Sequence, residues 1–149
     1  GPAALCFSAS HSDELGLMAV ARHRRIGIDV EKRQPLDSSL EAVAACFAAS
    51  ERAELAALAS EVRLRVFYDC WTRKEAFVKA LGLGLSFPLD HFAVSVRPEQ
   101  PAALLEIARD PTAARQWSMS ALPVSDEFSA TLAAEGSGVA VEWLGWNAR

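Results

Sequence analysis

Long apolar runs are missing from this 149-residue sequence. No stretch approaches the ~20 residues needed to cross a bilayer, and no signal peptide opens it. Neither membrane insertion nor secretion is expected, and a cytoplasmic location is. An excess of positive charge is missing too. Fifteen Lys and Arg face nineteen Asp and Glu, for a formal net charge of −4 and a pI of about 5.4. A polyphosphate backbone needs a positive footprint, so no nucleic-acid partner is expected. Local basic clusters remain at Arg22, Arg24 and Arg25 and at Lys32 and Arg33, which suits an anionic small molecule.

Cysteine is scarce. Cys6, Cys46 and Cys70 are widely spaced, odd in number and form no Cys-x-x-Cys pair. That disfavours a disulfide scaffold or a zinc cluster and fits buried free thiols in a reducing compartment. There is no low-complexity tract and no fixed-period repeat. Gly82-Leu83-Gly84-Leu85-Ser86 follows a helical pattern rather than a strand, and no Gly-Lys-Ser/Thr closes it, so it is not a phosphate loop of the Walker kind.

What is present suits one compact domain over residues 1–149, with 51% hydrophobic residues to fill a core. Gly1-Pro2 reads as a protease-cleavage scar, which leaves the natural start open. Residues 3–10 alternate like a strand, Asp13-Glu14 turns, and residues 15–21 form a second strand of a hairpin. Ser10-His11-Ser12 is expected in a polar loop where the first strand ends. A strand over 26–31 follows. Helices are expected at 40–47 (capped by Ser38 or Ser39), 51–59 (capped by Ser50) and 62–81, the last stopped by Gly82. Then come a strand at 92–96, a short helix at 102–109, and strands at 117–122, 128–134 and 139–146. The class is α+β: an antiparallel sheet packed on a long central helix.

Three segments carry residues that a plain scaffold does not need. In the long helix, Phe67, Cys70, Trp71, Val78 and Leu81 form an apolar stripe at about 100° per residue, and Lys74 falls near its middle. Lys74 is odd for a plain core helix unless it snorkels, with its stem buried and its ammonium wet. Glu75 and Lys79 are four apart, a surface pair or site residues. In the strand Ile26-Gly27-Ile28-Asp29-Val30-Glu31, period two puts Asp29 and Glu31 on one face, roughly 7 Å apart. They repel unless a cation or a basic group lies between them, or they are a solvated edge. Gly27 removes a side chain where something must approach closely. Ser10 and His11 offer short donors suited to phosphate, or His11 is an ordinary loop histidine.

Phe7-Ser8-Ala9-Ser10-His11-Ser12, Gly27-Ile28-Asp29-Val30-Glu31 and Trp71-Thr72-Arg73-Lys74-Glu75-Ala76-Phe77-Val78-Lys79 occur in that order. The ordered triple resembles the Sfp-like 4'-phosphopantetheinyl transferases. Their pattern is Phe-Asn-x-Ser-His-Ser, Gly-[Ile/Val]-Asp-[Ile/Val]-Glu and Trp-x-x-Lys-Glu-[Ala/Ser]-x-x-Lys. The first motif departs at Ser8, where the family usually has asparagine.

The resemblance implies transfer of the 4'-phosphopantetheine arm of coenzyme A to a serine of an acyl or peptidyl carrier protein, with release of adenosine 3',5'-bisphosphate. The Trp-x-x-Lys-Glu-Ala form resembles the branch serving polyketide and nonribosomal peptide assembly. The resemblance further implies Mg²⁺ held by Asp29, Glu31 and Glu75, with Glu75 as general base. Lys79 would act in catalysis, and Ser10, His11, Lys74 and Lys79 would bind coenzyme A. Family members have two lobes, and this chain resembles the second lobe plus the last hairpin of the first. A homo-oligomer, or a neighbouring domain of a larger synthase, is then expected to complete the cleft. The alternatives are a catalytically idle module that binds coenzyme A or a carrier protein, and a purely structural interaction domain.

Overall fold

The computed structural model describes residues 4–35 and 37–145. A hairpin opens the chain, β1 (Leu5–Ser12) and β2 (Leu15–Arg22), joined at Asp13-Glu14. Asp13 takes the turn at φ 53°; the left-handed region favours Asp and Asn among non-glycine residues. The strand β1 therefore runs through the Ser10-His11-Ser12 segment expected to be loop. Period two continues to Ser12, with odd-numbered residues exposed and even-numbered ones half-buried.

β3 (Ile26–Lys32) follows, then α1 (Ser38–Ala44), α2 (Ala49–Ala56) and α3 (Ser60–Leu81). The cap of α1 is Asp37, whose carboxylate accepts from the Ser39 and Leu40 amides, and not Ser38 or Ser39. The second helix begins one residue before Ser50, and Glu51 reaches back to accept the Ala48 amide at 2.8 Å. Gly82 ends α3 at φ 70°, the left-handed cap that glycine adopts without strain.

Two 3₁₀ turns, Gly84–Ser86 and Leu89–His91, lead to β4 (Phe92–Val94). The segment expected to be helical at 102–109 is instead a strand, β5 (Leu104–Ile107), paired antiparallel with β4. Its Ala-Ala-Leu-Leu-Glu run favours helix locally, but the ladder of β4 offers partners that a helix there would forgo. After α4 (Pro111–Ala114), β6 (Trp117–Ala121) and β7 (Phe128–Glu135) complete the elements. No strand forms over residues 139–145, and Trp146, the end of the expected last strand, lies outside the described residues.

The central sheet is antiparallel, in the order β3-β7-β6. One face carries Ile26, Ile28, Val30, Phe128, Ala130 and Leu132, which pack with Cys6, Leu15, Leu17, Ala19 and Ala21 on the inner face of the hairpin. The other face receives α3. Beyond α3 a second core holds Phe47, Leu55, Phe67, Phe77, Phe92 and Val94. A helix between two layers is buried around most of its circumference, which is why its apolar residues exceed one stripe.

Candidate active site

The seam between α3 and the sheet is polar. Asp69, Thr72, Ala76 and Lys79 share one face at a spacing of 3, 4 and 3 residues, as 3.6 residues per turn requires. Ser129 donates to Asp69 at 2.7 Å, and Thr72 and Thr131 bond at 3.0 Å in the dry interior. At Gly27 the two backbones meet. A Cβ there would stand 2.5 Å from the Ala80 amide nitrogen and closer still to the Ala76 carbonyl oxygen. The absent side chain admits the helix itself.

This close approach sets Lys79 over β3. Its Nζ donates to the Ile28 carbonyl at 3.1 Å and to Asp29 Oδ1 at 3.0 Å. Asp29 is buried, Glu31 half-buried beside it. Burial pushes the Asp29 carboxyl up to about 6; Lys79 opposes the shift and the charge of Glu75 adds to it. Burial, followed by the charges of Asp29 and Glu75, pushes Glu31 up to about 7. Asp29 and Glu31 thus feel each other and the charge of Glu75, with the Lys79 ammonium bonded to Asp29. Asp29 Oδ2 is buried with no hydrogen-bond partner.

The hairpin meets β3 through side chains. The amides of Ile28, Val30 and Lys32, which alternate away from β7, donate to the hydroxyls of Ser8 (3.1 Å), Ser10 (3.2 Å) and Ser12 (2.8 Å). Ser8, at the departure from the family pattern, is thus one rung of a serine ladder covering the edge of β3. Period-two serines at 8, 10 and 12 were the signal for it. His11 is on the opposite, exposed face of β1, across from Gly16, so it does not converge with Ser10.

Lys74 is placed elsewhere. Its side chain is 0% exposed, and Nζ donates to Glu51 Oε1 and the Phe92 carbonyl, each at 2.7 Å. The Phe92 ring lies 4.0 Å from Nζ, and Glu51 also accepts the Ala48 and Val94 amides. The lysine neither snorkels nor reaches the carboxylate cluster. Glu51, which the sequence reading passed over, is its partner. Trp71 stacks on Tyr68, and both line a groove of about 420 Å³ with Ser12, Glu31 and Leu40. A second groove, about 350 Å³, runs from Glu75 past Val78, Phe87 and Leu89.

The profile of the 4'-phosphopantetheinyl transferase superfamily matches residues 25–133, and the chain belongs to that superfamily. It is 36% identical over 135 residues to the 4'-phosphopantetheinyl transferase HetI of Nostoc sp., covering 90% of this chain and 53% of HetI. To the 4'-phosphopantetheinyl transferase Sfp of Bacillus subtilis it is 38% identical over 93 residues, 62% of this chain and 40% of Sfp. The chain therefore spans about half the length of the curated relatives it matches. The holo-[acyl-carrier-protein] synthase of Thermotoga maritima shares the fold, with a TM-score of 0.53 at 19% identity over 75% of this chain and 62% of that one.

Proposed function

We propose that this chain carries the site of a 4'-phosphopantetheinyl transfer: coenzyme A gives its 4'-phosphopantetheine arm to a serine of an acyl or peptidyl carrier protein. The serine oxygen forms a phosphodiester with the phosphorus that bears the arm. The pyrophosphate P–O bond breaks, and adenosine 3',5'-bisphosphate leaves. The observation that carries this reading is Asp29. Its carboxylate is buried beside two further acids, with one oxygen bonded and the other bare.

Such a donor set fits a hard divalent cation. Among the described residues no three acids form a ready-made cage, and Mg²⁺ is usually held by one or two carboxylates completed by substrate phosphates and waters. Asp29 and Glu31, with Glu75, would hold Mg²⁺, which when bound neutralises charge on the pyrophosphate. Glu75, half-buried at the mouth of the second groove, takes the serine proton as general base. Lys79 adds positive charge beside the leaving phosphate. The outer face of the hairpin is apolar and open, with Leu5 at 62%, Phe7 at 72%, Met18 at 69% and Val20 at 59% exposure. That supports a covering partner, either a second copy or a neighbouring domain. No described helix is long and apolar enough to cross a membrane, and the free thiols, of which Cys70 is buried, Cys6 half-buried and Cys46 exposed against the expectation of burial, support a cytoplasmic site of action.

The test is the intact mass of an apo acyl carrier protein incubated with this chain, coenzyme A and Mg²⁺. A gain of one phosphopantetheine, lost with EDTA, is expected, and Glu75→Gln should slow it at least about 100-fold. Full activity of that variant would remove Glu75 from the chemistry. No gain on any carrier, with the protein folded and binding coenzyme A, would favour the idle binding module.

A further inference from the structure

We propose that Ser10 is a positioning residue for the cation-binding carboxylate of Asp29 rather than a phosphate ligand. The inference rests on the reading of Asp29 as a Mg²⁺ ligand and concerns how its free oxygen is aimed.

A serine hydroxyl has one proton and two acceptor positions. The Val30 amide points at Ser10 Oγ from 3.2 Å and requires the oxygen as acceptor. The proton is then directed to Asp29 Oδ1, also at 3.2 Å. Lys79 Nζ comes to the same oxygen at 3.0 Å, while its contact with the Ile28 carbonyl keeps it in place. Two donors from two different elements thus converge on Oδ1, and neither touches Oδ2. Oδ2 stays buried and bare. A buried acceptor without a donor costs about 1–3 kcal/mol, and a cation bound at Oδ2 would remove that cost.

The ladder supplies an internal comparison. Ser8 and Ser12 accept the equivalent amides of Ile28 and Lys32, yet among the described residues neither hydroxyl meets a carboxylate. All three serines cover the strand edge, but Ser10 alone of the three also orients a side chain. Its proton cannot serve a phosphate without releasing Asp29. Groups that orient a metal ligand from behind typically change metal affinity 10–100-fold when removed.

Mn²⁺ serves as a spectroscopic stand-in for Mg²⁺, with free Mn²⁺ read by electron paramagnetic resonance with and without coenzyme A. Ser10→Ala should weaken Mn²⁺ binding about 10–100-fold, and Ser10→Thr, which keeps a hydroxyl, should restore it to within a few-fold. Ser8→Ala, which loses a rung but no carboxylate contact, should bind Mn²⁺ as the parent does. In the transfer assay Ser10→Ala should raise the metal concentration for half-maximal rate while kcat at saturating metal holds. Should Ser10→Ala not fold, Ser10→Cys, with similar volume and a weak donor, is read the same way. Parental Mn²⁺ affinity in Ser10→Ala, with weakened metal-free coenzyme A binding, would overturn the proposal in favour of a phosphate contact. Absence of Mn²⁺ binding in the parent itself would instead sink the cation reading beneath it.

Discussion

Lys74 shows how far one residue's character can be read without its surroundings. A lysine in an apolar stripe is costly unless it is paired, and the pattern flagged it correctly as unusual. Its partner is 23 positions away on another helix, and no local spacing points there. Burial pushes the Glu51 carboxyl up and the Lys74 ammonium down, each opposed by the other's charge. The pair holds α2, α3 and β4 together through the Ala48, Val94 and Phe92 backbone groups. Removing one partner leaves an uncompensated buried charge. Glu51→Leu or Lys74→Met alone should each cost about 3–5 kcal/mol by chemical denaturation. The double variant should be less damaged than the sum of the singles, and strict additivity would show that the two side chains do not act as a pair.

Among elements, the seam between α3 and β3 decides the site. Glycine at position 27 makes room, and the occupant is the helix backbone at Ala76 and Ala80. That contact brings Lys79 into reach of Asp29. Gly27→Ala should therefore cost about 3 kcal/mol by overpacking and displace Lys79 from Asp29. Loss of transfer beyond the loss of folded protein, measured by activity per folded molecule, is the expected sign. An unchanged melting temperature would mean the helix can shift at no cost. β5 teaches the converse lesson. Its helix-favouring run became a strand because β4 pairs with it, and pairing between segments is invisible to local propensity.

For the whole molecule, the consequence of the buried acids is a pH dependence. Asp29 and Glu31 titrate in the folded chain at about 6 and about 7, above the ordinary 3.8 and 4.5. Between about pH 4 and 7 the folded state holds these protons more tightly than the unfolded one, so their contribution to stability falls as pH rises through that window. Above about pH 8 both are ionised in either state, and the loss stays constant. For Asp29 it amounts to roughly 3 kcal/mol. In EDTA-containing buffer, the stability difference between the parent and Asp29→Asn should change by about this amount across the window and level off above pH 7. A flat difference would show that Asp29 titrates normally. Mg²⁺ with coenzyme A should recover stability at pH 8.

The three motifs and the antiparallel α+β class were readable in one dimension, because each motif lies within a single strand or helix whose period fixes which residues share a face. Lys79 bonds Asp29 rather than Glu75, and only the shared face of Asp29 and Glu31 followed from that periodicity. It could not assign Lys74 to Glu51 or set two donors on one oxygen of Asp29. Those are relations between elements, settled when the hairpin docks on the edge of β3 and α3 descends onto Gly27. A repeat along one strand constrains neighbours at fixed offsets, whereas a buried charge finds its partner wherever packing brings one within hydrogen-bond reach.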